Sequence, residues 1–161
     1  MVKSVKWEKP SQPVFKLNTD SSALNNPRKI GGGGILRECQ GNMVYAYTIP
    51  LGIGTNNQAE LKAASHGVNW CIQHGYRKIH LEVDSELVIS WLSNQARPPW
   101  NLQEANNTVD HLSKCSHNTD IVQHFYIKEQ LPRLAKGSFL LEKLGMASFR
   151  RKKLKRIKKP P

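Results

Sequence analysis

Three acidic residues, Asp20, Glu60 and Asp84, occupy positions where a fold can gather catalytic groups. Asp20 and Asp84 each follow the apolar part of a predicted strand, and strand ends that precede helices are where α/β folds place their sites. Glu60 lies near the start of a predicted helix and shares its inward stripe with small and apolar residues. Because a buried carboxylate is costly unless it is paired, hydrogen-bonded or bound to a metal ion, the three residues predict a carboxylate cluster.

Such a cluster predicts a metal-dependent reaction. Several converging carboxylates cannot all stay ionised without a cation, and hard oxygen ligands suit Mg²⁺ or Mn²⁺. Two such ions about 4 Å apart support in-line cleavage of phosphodiester bonds. The alternative is that both aspartates are ordinary turn and helix N-cap residues and that Glu60 is an exposed acid near a helix start. Each aspartate alone favours this alternative, but the three together favour the metal site.

The remaining pattern predicts how these acids are positioned. An antiparallel group of strands precedes strand–helix crossovers, which predicts an α/β fold with a mixed sheet covered by helices. In this fold the first strand lies beside the strand that ends at Asp84, and the first helix brings Glu60 over them. The predicted strands cover residues 14–20, 31–39, 43–49, 78–84 and 119–127, and the predicted helices cover 56–74, the segment after 84, the segment from 101 and 131–144.

Four consecutive glycines, residues 31–34, stand at the start of the second predicted strand. A phosphate-binding loop would need a Lys-Ser/Thr pair and a helix behind the glycines, and the sequence has neither. We therefore favour a glycine-rich strand that another backbone or a ligand approaches closely.

Charge divides the chain into unequal parts. The sequence has 24 basic and 12 acidic residues, a formal net charge of +12, which indicates a polyanionic partner. Residues 150–159 contain eight basic residues and no acid, namely Arg150, Arg151, Lys152, Lys153, Lys155, Arg156, Lys158 and Lys159. We predict a linker-like segment at 1–12, a domain at 13–146 and a basic, disordered tail at 147–161. The tail is a nuclear import signal with nonspecific affinity for nucleic acid, or a solvated run.

The remaining composition and motif signals concern features that the sequence lacks. The three cysteines form no C-x-x-C pair and the six histidines form no H-E-x-x-H pattern, so neither disulfides nor a zinc centre is predicted from motifs. There is no apolar leader and no stretch of membrane-spanning length. We expect a soluble intracellular monomer, in the nucleus rather than the cytoplasm, with no membrane contact and no small-molecule cofactor.

The motifs resemble those of type 1 ribonuclease H. The resemblance covers roughly residues 13–145 and rests on four stretches, Lys16–Ser22, Gly31–Leu36, Thr55–Glu60 and Leu81–Ser85. More narrowly, the sequence is similar to reverse-transcriptase-like RNase H domains of plant retroelements and of host genes derived from them. The resemblance implies a ribonuclease H-like five-stranded mixed sheet of order 3-2-1-4-5, flanked by about four helices. It also implies two-metal cleavage of the RNA strand of an RNA–DNA hybrid.

The resemblance also assigns residues to roles. Asp20, Glu60 and Asp84 fall on the first three catalytic, metal-binding carboxylates. A second set falls on positions that contact the nucleic acid, including the ribose 2′-hydroxyls that distinguish RNA from DNA. This set comprises Ser22, Thr55, Asn56, Asn57 and Lys128.

Two positions depart from the family pattern. Ser21 replaces the usual glycine after the first aspartate. Lys136 stands where the family has its fourth aspartate, and an alternative alignment puts Phe139 there, so neither alignment supplies a ligand. Glu129 and Glu142 are the nearby acids that could substitute.

Three functions therefore follow from the sequence. The first is a metal-dependent endonuclease that cuts the RNA strand of hybrids. The second is a retroelement-derived module that binds nucleic acid with weakened or no catalysis, which Lys136 favours. The third, a 3′–5′ exonuclease on a related fold, rests on the Asp84-x-Glu86 pair and ranks last, because that pair should lie in the first strand.

Overall fold

The computed structural model describes residues 2–24, 28–83, 100–102, 107–146 and 148–151. Asp84, the helix predicted after it, the start of the third predicted helix and residues 152–161 lie outside this part of the chain. Within it the chain forms eight strands and three α-helices. The strands are β1 Val2–Val5, β2 Phe15–Leu24, β3 Lys29–Arg37, β4 Met43–Ile53, β5 Ile79–Val83, β6 Trp100–Leu102, β7 Gln123–Phe125 and β8 Ser148–Arg151. The helices are α1 Asn56–Gln73, α2 Asn107–Cys115 and α3 Arg133–Lys143.

Six of the strands form one mixed sheet in the order β6-β5-β2-β3-β4-β7. β2 pairs antiparallel with β3 and parallel with β5, and β3 pairs antiparallel with β4. The long strand β2, which carries Asp20, is therefore central. This arrangement confirms the predicted α/β fold class and the predicted order of the first four strands, 3-2-1-4.

The last predicted strand lies at the opposite edge of the sheet from the one expected. β7 pairs antiparallel with β4, with Phe125 opposite Ala46, whereas the order 3-2-1-4-5 would place it beside β5. β6 pairs with β5 instead and makes the sheet six-stranded. The physical reason lies in the apolar contacts of Phe125, which packs in one buried cluster with Ile35 and Ala46.

Helices cover both faces of the sheet. Leu36 packs with Ala64 and Cys71 of α1, whereas its neighbour Ile35 packs with residues of α2 and α3. Because successive strand residues point to opposite faces, α1 lies on one face and the other two helices lie on the second. None of the described helices is long and apolar enough to cross a membrane.

The glycine run lies inside β3 and allows helices to approach the sheet from both sides. A Cβ atom on Gly32 would lie 2.5 Å from the Cβ of Ala63 in α1. A Cβ on Gly33 would lie 2.7 Å from the backbone nitrogen of Ser113 in α2. The interpretation as a strand with close backbone approach is therefore confirmed, and the phosphate-loop alternative is wrong.

Both terminal segments contact other parts of the chain. Trp7 is buried and its Nε1 donates a hydrogen bond of 3.1 Å to Asn18 Oδ1. β1 pairs antiparallel with β8, from Val2 opposite Arg151 to Val5 opposite Ser148. Ordered contacts are thus present in both the segment predicted as a linker and the first residues of the predicted tail.

A buried ion pair joins α3 to the end of β3. Arg37 Nη1 lies 2.8 Å from Glu142 Oε2, and the Arg37 guanidinium lies 4.0 Å from the centre of the Trp7 ring. The Thr108 hydroxyl and backbone N–H also donate to the Glu142 carboxylate, at 2.7 and 3.1 Å. Desolvation by burial lowers the pKa of Arg37, and the charge of Glu142 opposes this shift.

Candidate active site

Asp20 lies in the middle of the sheet, where β2 pairs with the glycine strand. It is opposite Gly33, and only 8% of its surface is exposed. Its Oδ1 accepts a hydrogen bond of 2.8 Å from the backbone N–H of Ser21. This hydrogen bond satisfies one oxygen of a carboxylate that has little contact with water.

Ser21 connects this strand to Glu60. Because side chains alternate along a strand, Ser21 points to the face of the sheet that α1 covers. Its hydroxyl donates a hydrogen bond of 2.6 Å to Glu60 Oε1. A single residue therefore contacts the carboxylates of Asp20 and Glu60, one through its backbone and the other through its side chain.

The local sequence positions Glu60 on α1. Thr55 is the N-cap, with Oγ1 accepting from the Gln58 N–H at 3.2 Å and the Gln58 side chain accepting from the Thr55 N–H at 2.9 Å. This reciprocal capping box fixes the first turn. The helix ends before Gly75, whose φ of 82° suits glycine. The cap thereby determines where Glu60, the fifth residue of α1, meets the sheet.

The two described residues of the predicted carboxylate cluster have side chains of the chemical type that binds a hard divalent cation. Asp20 and Glu60 supply carboxylate oxygens, which are the ligands that Mg²⁺ and Mn²⁺ prefer. The structure places these two residues on adjoining elements linked through Ser21. The third predicted ligand, Asp84, follows the last described residue of β5 and lies outside the described part of the chain. Within that part, no group of three or more His, Cys, Asp or Glu side chains converges on one point.

The predicted nucleic-acid contacts lie in three places, namely the start of α1, strand β2 and the short turn before α3. Asn56 and Asn57 are exposed in the first turn of α1, four residues or fewer from Glu60 in sequence. Thr55 is also exposed, and its hydroxyl oxygen caps the helix. Ser22 is half-buried in β2, and Lys128 is exposed in a short 3₁₀ turn, Lys128–Gln130, that precedes α3.

The position of the family's fourth aspartate carries no acid in the structure. Lys136 is half-buried on α3, and in the described part of the chain its side chain makes no hydrogen bond or ion pair. The alternative match, Phe139, is a core residue. The Glu142 carboxylate already forms an ion pair with Arg37 and a hydrogen bond with Thr108. Glu129 is exposed. Of the two candidate substitutes, Glu142 is therefore excluded.

The basic tail is described only at its start. Arg150 and Arg151 belong to β8, whose backbone pairs with β1. The other six basic residues of the run lie beyond the described residues.

Ser21 is a site residue that the sequence interpretation did not include. It stood out as a departure from glycine, but its contact with Glu60 required the face of the strand to be known. Alternation from Asp20 was the available signal, since adjacent strand residues must point to opposite faces.

Comparison with known proteins agrees with this architecture. RNase H1 of the archaeon Halobacterium salinarum aligns with a TM-score of 0.55 and 21% identity, over 65% of this chain and 98% of that one. The N-terminal RNase H domain of a Mycobacterium tuberculosis protein aligns with a TM-score of 0.56 and 18% identity, over 65% and 94%. The fold is thus that of the RNase H-like proteins.

Sequence comparison then gives the family. A family model described as reverse transcriptase-like matches residues 18–136, and the chain belongs to this family. A relative from Arabidopsis thaliana, "Putative ribonuclease H protein", is 31% identical over 86 residues, which is 53% of this chain. The matched part is 14% of that relative's length.

Proposed function

We propose that this domain binds RNA–DNA hybrids and hydrolyses their RNA strand, with Asp20, Glu60 and Asp84 holding Mg²⁺ or Mn²⁺. The observation that carries the proposal is the link from Asp20 through Ser21 to Glu60 at the centre of an RNase H-like sheet. Membership of the reverse transcriptase-like family supports the same activity.

The chain's own residues position the reacting groups. The divalent ions, when bound, supply an activated water and stabilise the departing oxygen. Ser21 holds Glu60 Oε1 at 2.6 Å, which fixes one carboxylate before substrate arrives. Burial of Asp20 keeps water away from the second carboxylate, so that its charge acts in a medium of low dielectric constant.

Recognition of the hybrid is assigned to the first turn of α1 and its surroundings. The Asn56 and Asn57 amides can each donate and accept hydrogen bonds, which suits the 2′-hydroxyls of an RNA strand in a shallow minor groove. Ser22 and Lys128 extend this surface, Lys128 as a phosphate contact. The basic tail adds salt-dependent affinity that does not depend on sequence.

The biological setting is part of the same proposal. We expect a monomer that acts in the nucleus, directed there by the basic run at 150–159. Similarity to a much longer Arabidopsis protein supports descent from a plant retroelement.

A second candidate function is a binding module with little or no catalysis. The observation that favours it is Lys136, since an ammonium group gives positive charge without the Lewis acidity of a metal ion. Placing an acid at position 136 distinguishes the two candidate functions. If the missing ligand limits catalysis, Lys136→Asp should increase hybrid cleavage, whereas Lys136→Asn should not.

Substrate choice tests the proposed activity. Purified protein is incubated with an end-labelled RNA–DNA hybrid, double-stranded RNA and duplex DNA, with Mg²⁺ or Mn²⁺, and binding is measured in parallel by fluorescence anisotropy. The proposal expects cleavage of the RNA strand in the hybrid only. Hybrid binding without cleavage in either metal would support the module and contradict the nuclease.

A further inference from the structure

Helix α3 carries a second apolar face on the side away from the core. The residues that it buries are Ala135, Phe139 and Glu142. Leu134, Leu141 and Leu144 follow one another at helical spacing on the opposite side, and 68, 53 and 77% of their surfaces are exposed. Single exposed apolar residues are normal, but a contiguous apolar patch indicates an interaction surface.

Gly137 forms a notch in the middle of this face. It lies one turn after Leu134 and one turn before Leu141. Among the described residues, nothing lies within 4 Å of the place that a Cβ atom of Gly137 would take. Because helices pack by placing side chains of one helix in the gaps between side chains of the other, the notch and its flanking leucines suit a crossing helix.

Positive charge borders the leucines. Arg133 is exposed and Lys136 is half-buried, and in the described part of the chain neither forms an ion pair. Lys143 is the third cation of α3, whereas the only acid of this helix, Glu142, is buried against Arg37. These cations would repel those of a second copy on the same face and would attract carboxylates.

We propose that the face formed by Leu134, Gly137, Leu141 and Leu144, called the α3 face, binds an acidic amphipathic helix of a partner protein. Apolar side chains of that helix cover the leucines, and one of them occupies the notch at Gly137. Its carboxylates lie beside Arg133 and Lys136. The interaction thus combines apolar burial with charge complementarity.

The shape and composition of the α3 face favour a helix over other anionic partners. Nucleic acid phosphates would suit the cations, but they gain nothing from exposed leucines. An anionic membrane would suit both, but fluid lipid chains have no use for a notch of one residue. A helix presents fixed side chains that fit such a notch.

Fluorescence anisotropy of the whole chain with a labelled synthetic peptide as the probe tests the proposal at physiological salt concentration. The peptide is a helix of about five turns, with leucine along one side and glutamate and alanine elsewhere. One control peptide has lysine in place of glutamate, and the other has alanine in place of leucine. We expect saturable binding of the acidic amphipathic peptide and at least about tenfold weaker binding of both controls.

Substitutions on the α3 face should weaken the binding of this peptide. Leu134→Gln and Leu141→Gln should each do so about tenfold, because each removes an apolar side chain that the complex buries. Gly137→Gln fills the notch and should also weaken binding, although it replaces a poor helix former with a good one. Ile72→Gln is the matched control, since Ile72 is 62% exposed on α1, and it should bind as the unmodified chain does.

Charge reversal supplies a gain that damage to the fold could not produce. Arg133→Glu should weaken binding of the acidic peptide and strengthen binding of the lysine peptide. The proposal is overturned if the leucine variants retain full affinity for the acidic peptide, or if the peptide without leucine binds equally well. It is also overturned if the two leucines are required for binding to phosphatidylserine vesicles or for dimers in sedimentation while the acidic peptide does not bind.

Discussion

Ser21 is the residue on which the geometry of the candidate active site depends most. Its backbone N–H contacts Asp20 and its hydroxyl contacts Glu60. A glycine at this position, which is the usual residue in the family that the sequence resembles, would keep the first hydrogen bond but could not make the second. The chain therefore holds Glu60 by a hydrogen bond that a glycine-bearing relative cannot make in the same way.

Removing this hydroxyl should impair metal binding before it impairs substrate binding. For Ser21→Ala, we expect a ~10-fold higher Mg²⁺ concentration at half-maximal hybrid cleavage, in line with the cost of losing an outer-shell partner. A Mg²⁺ titration of cleavage rate measures this change. Ser65→Ala, on the exposed side of α1, is the control. An unchanged Mg²⁺ dependence in Ser21→Ala would show that metal binding by Glu60 does not depend on the Ser21 hydroxyl.

At the scale of elements, β3 determines how closely the helices pack. Gly32 and Gly33 leave no room for side chains, because α1 and α2 approach opposite faces of the strand. Gly137 in α3 is the opposite case, since a Cβ there would meet nothing within 4 Å. The same substitution should therefore have opposite effects at two glycines.

Gly33→Ala should lower the free energy of unfolding by about 1–3 kcal/mol, the usual cost of overpacking a core. Gly137→Ala should raise it by roughly 0.5–1 kcal/mol, because glycine is a poor residue in a helix interior. Urea unfolding monitored by circular dichroism measures both changes. Equal effects of the two substitutions would contradict the close packing of α2 on β3.

The connection between α3 and β3 depends on one buried ion pair. Glu142→Ala would leave the buried Arg37 charge without its partner, and we expect a loss of about 3–5 kcal/mol in unfolding free energy. The solvent-facing pair between Lys114 and Asp110 provides the comparison, and Lys114→Ala should cost about 0.5 kcal/mol or less. Similar losses in chemical denaturation of the two variants would show that Arg37 and Glu142 are not paired in solution.

For the whole molecule, short-range sequence patterns predicted the helices, strands and motifs. They could not predict features that depend on contacts between residues far apart in the sequence. The helix that begins at residue 56 and the close approach at the glycine strand follow from local sequence, and the central position of the strand bearing Asp20 follows from the order of the elements. The edge that β7 occupies does not, because a three-residue strand has too little pattern to specify its neighbour. It depends instead on the burial of Phe125 against Ile35 and Ala46.

The sequence likewise could not predict which buried residues contact the charged side chains. Arg37 and Glu142 are separated by 105 positions, and no local signal links them. Trp7 was assigned to a linker because lysines and prolines surround it, yet it covers the Arg37 guanidinium. Among the candidate site residues, Asp20 and Glu60 were predictable from motif spacing, whereas the role of Ser21 emerged only from the face of β2 that α1 covers.

The charge of the whole chain leads to a prediction about salt. Removing residues 152–161 eliminates six basic residues and leaves the β1–β8 pairing intact. If these residues bind phosphates, the slope of log affinity against log salt concentration should become shallower by about 0.9 for each phosphate that the tail had neutralised. Hybrid binding measured over a salt series gives this slope, and a tail of equal length made of serine is the control. An unchanged slope would exclude the tail from binding.

Whether Glu60 serves a metal-dependent nuclease is tested by the rate at which the RNA strand of an RNA–DNA hybrid is cut, compared between the unmodified chain, Glu60→Gln and Asp110→Asn. Glu60→Gln keeps the size of the side chain but removes its charge, while Asp110→Asn does the same at a partly exposed position on α2. We expect Mg²⁺- or Mn²⁺-dependent cleavage by the unmodified chain and by Asp110→Asn, and none by Glu60→Gln. Cleavage that survives in Glu60→Gln, or an intact RNA strand with all three proteins despite hybrid binding, would contradict this expectation.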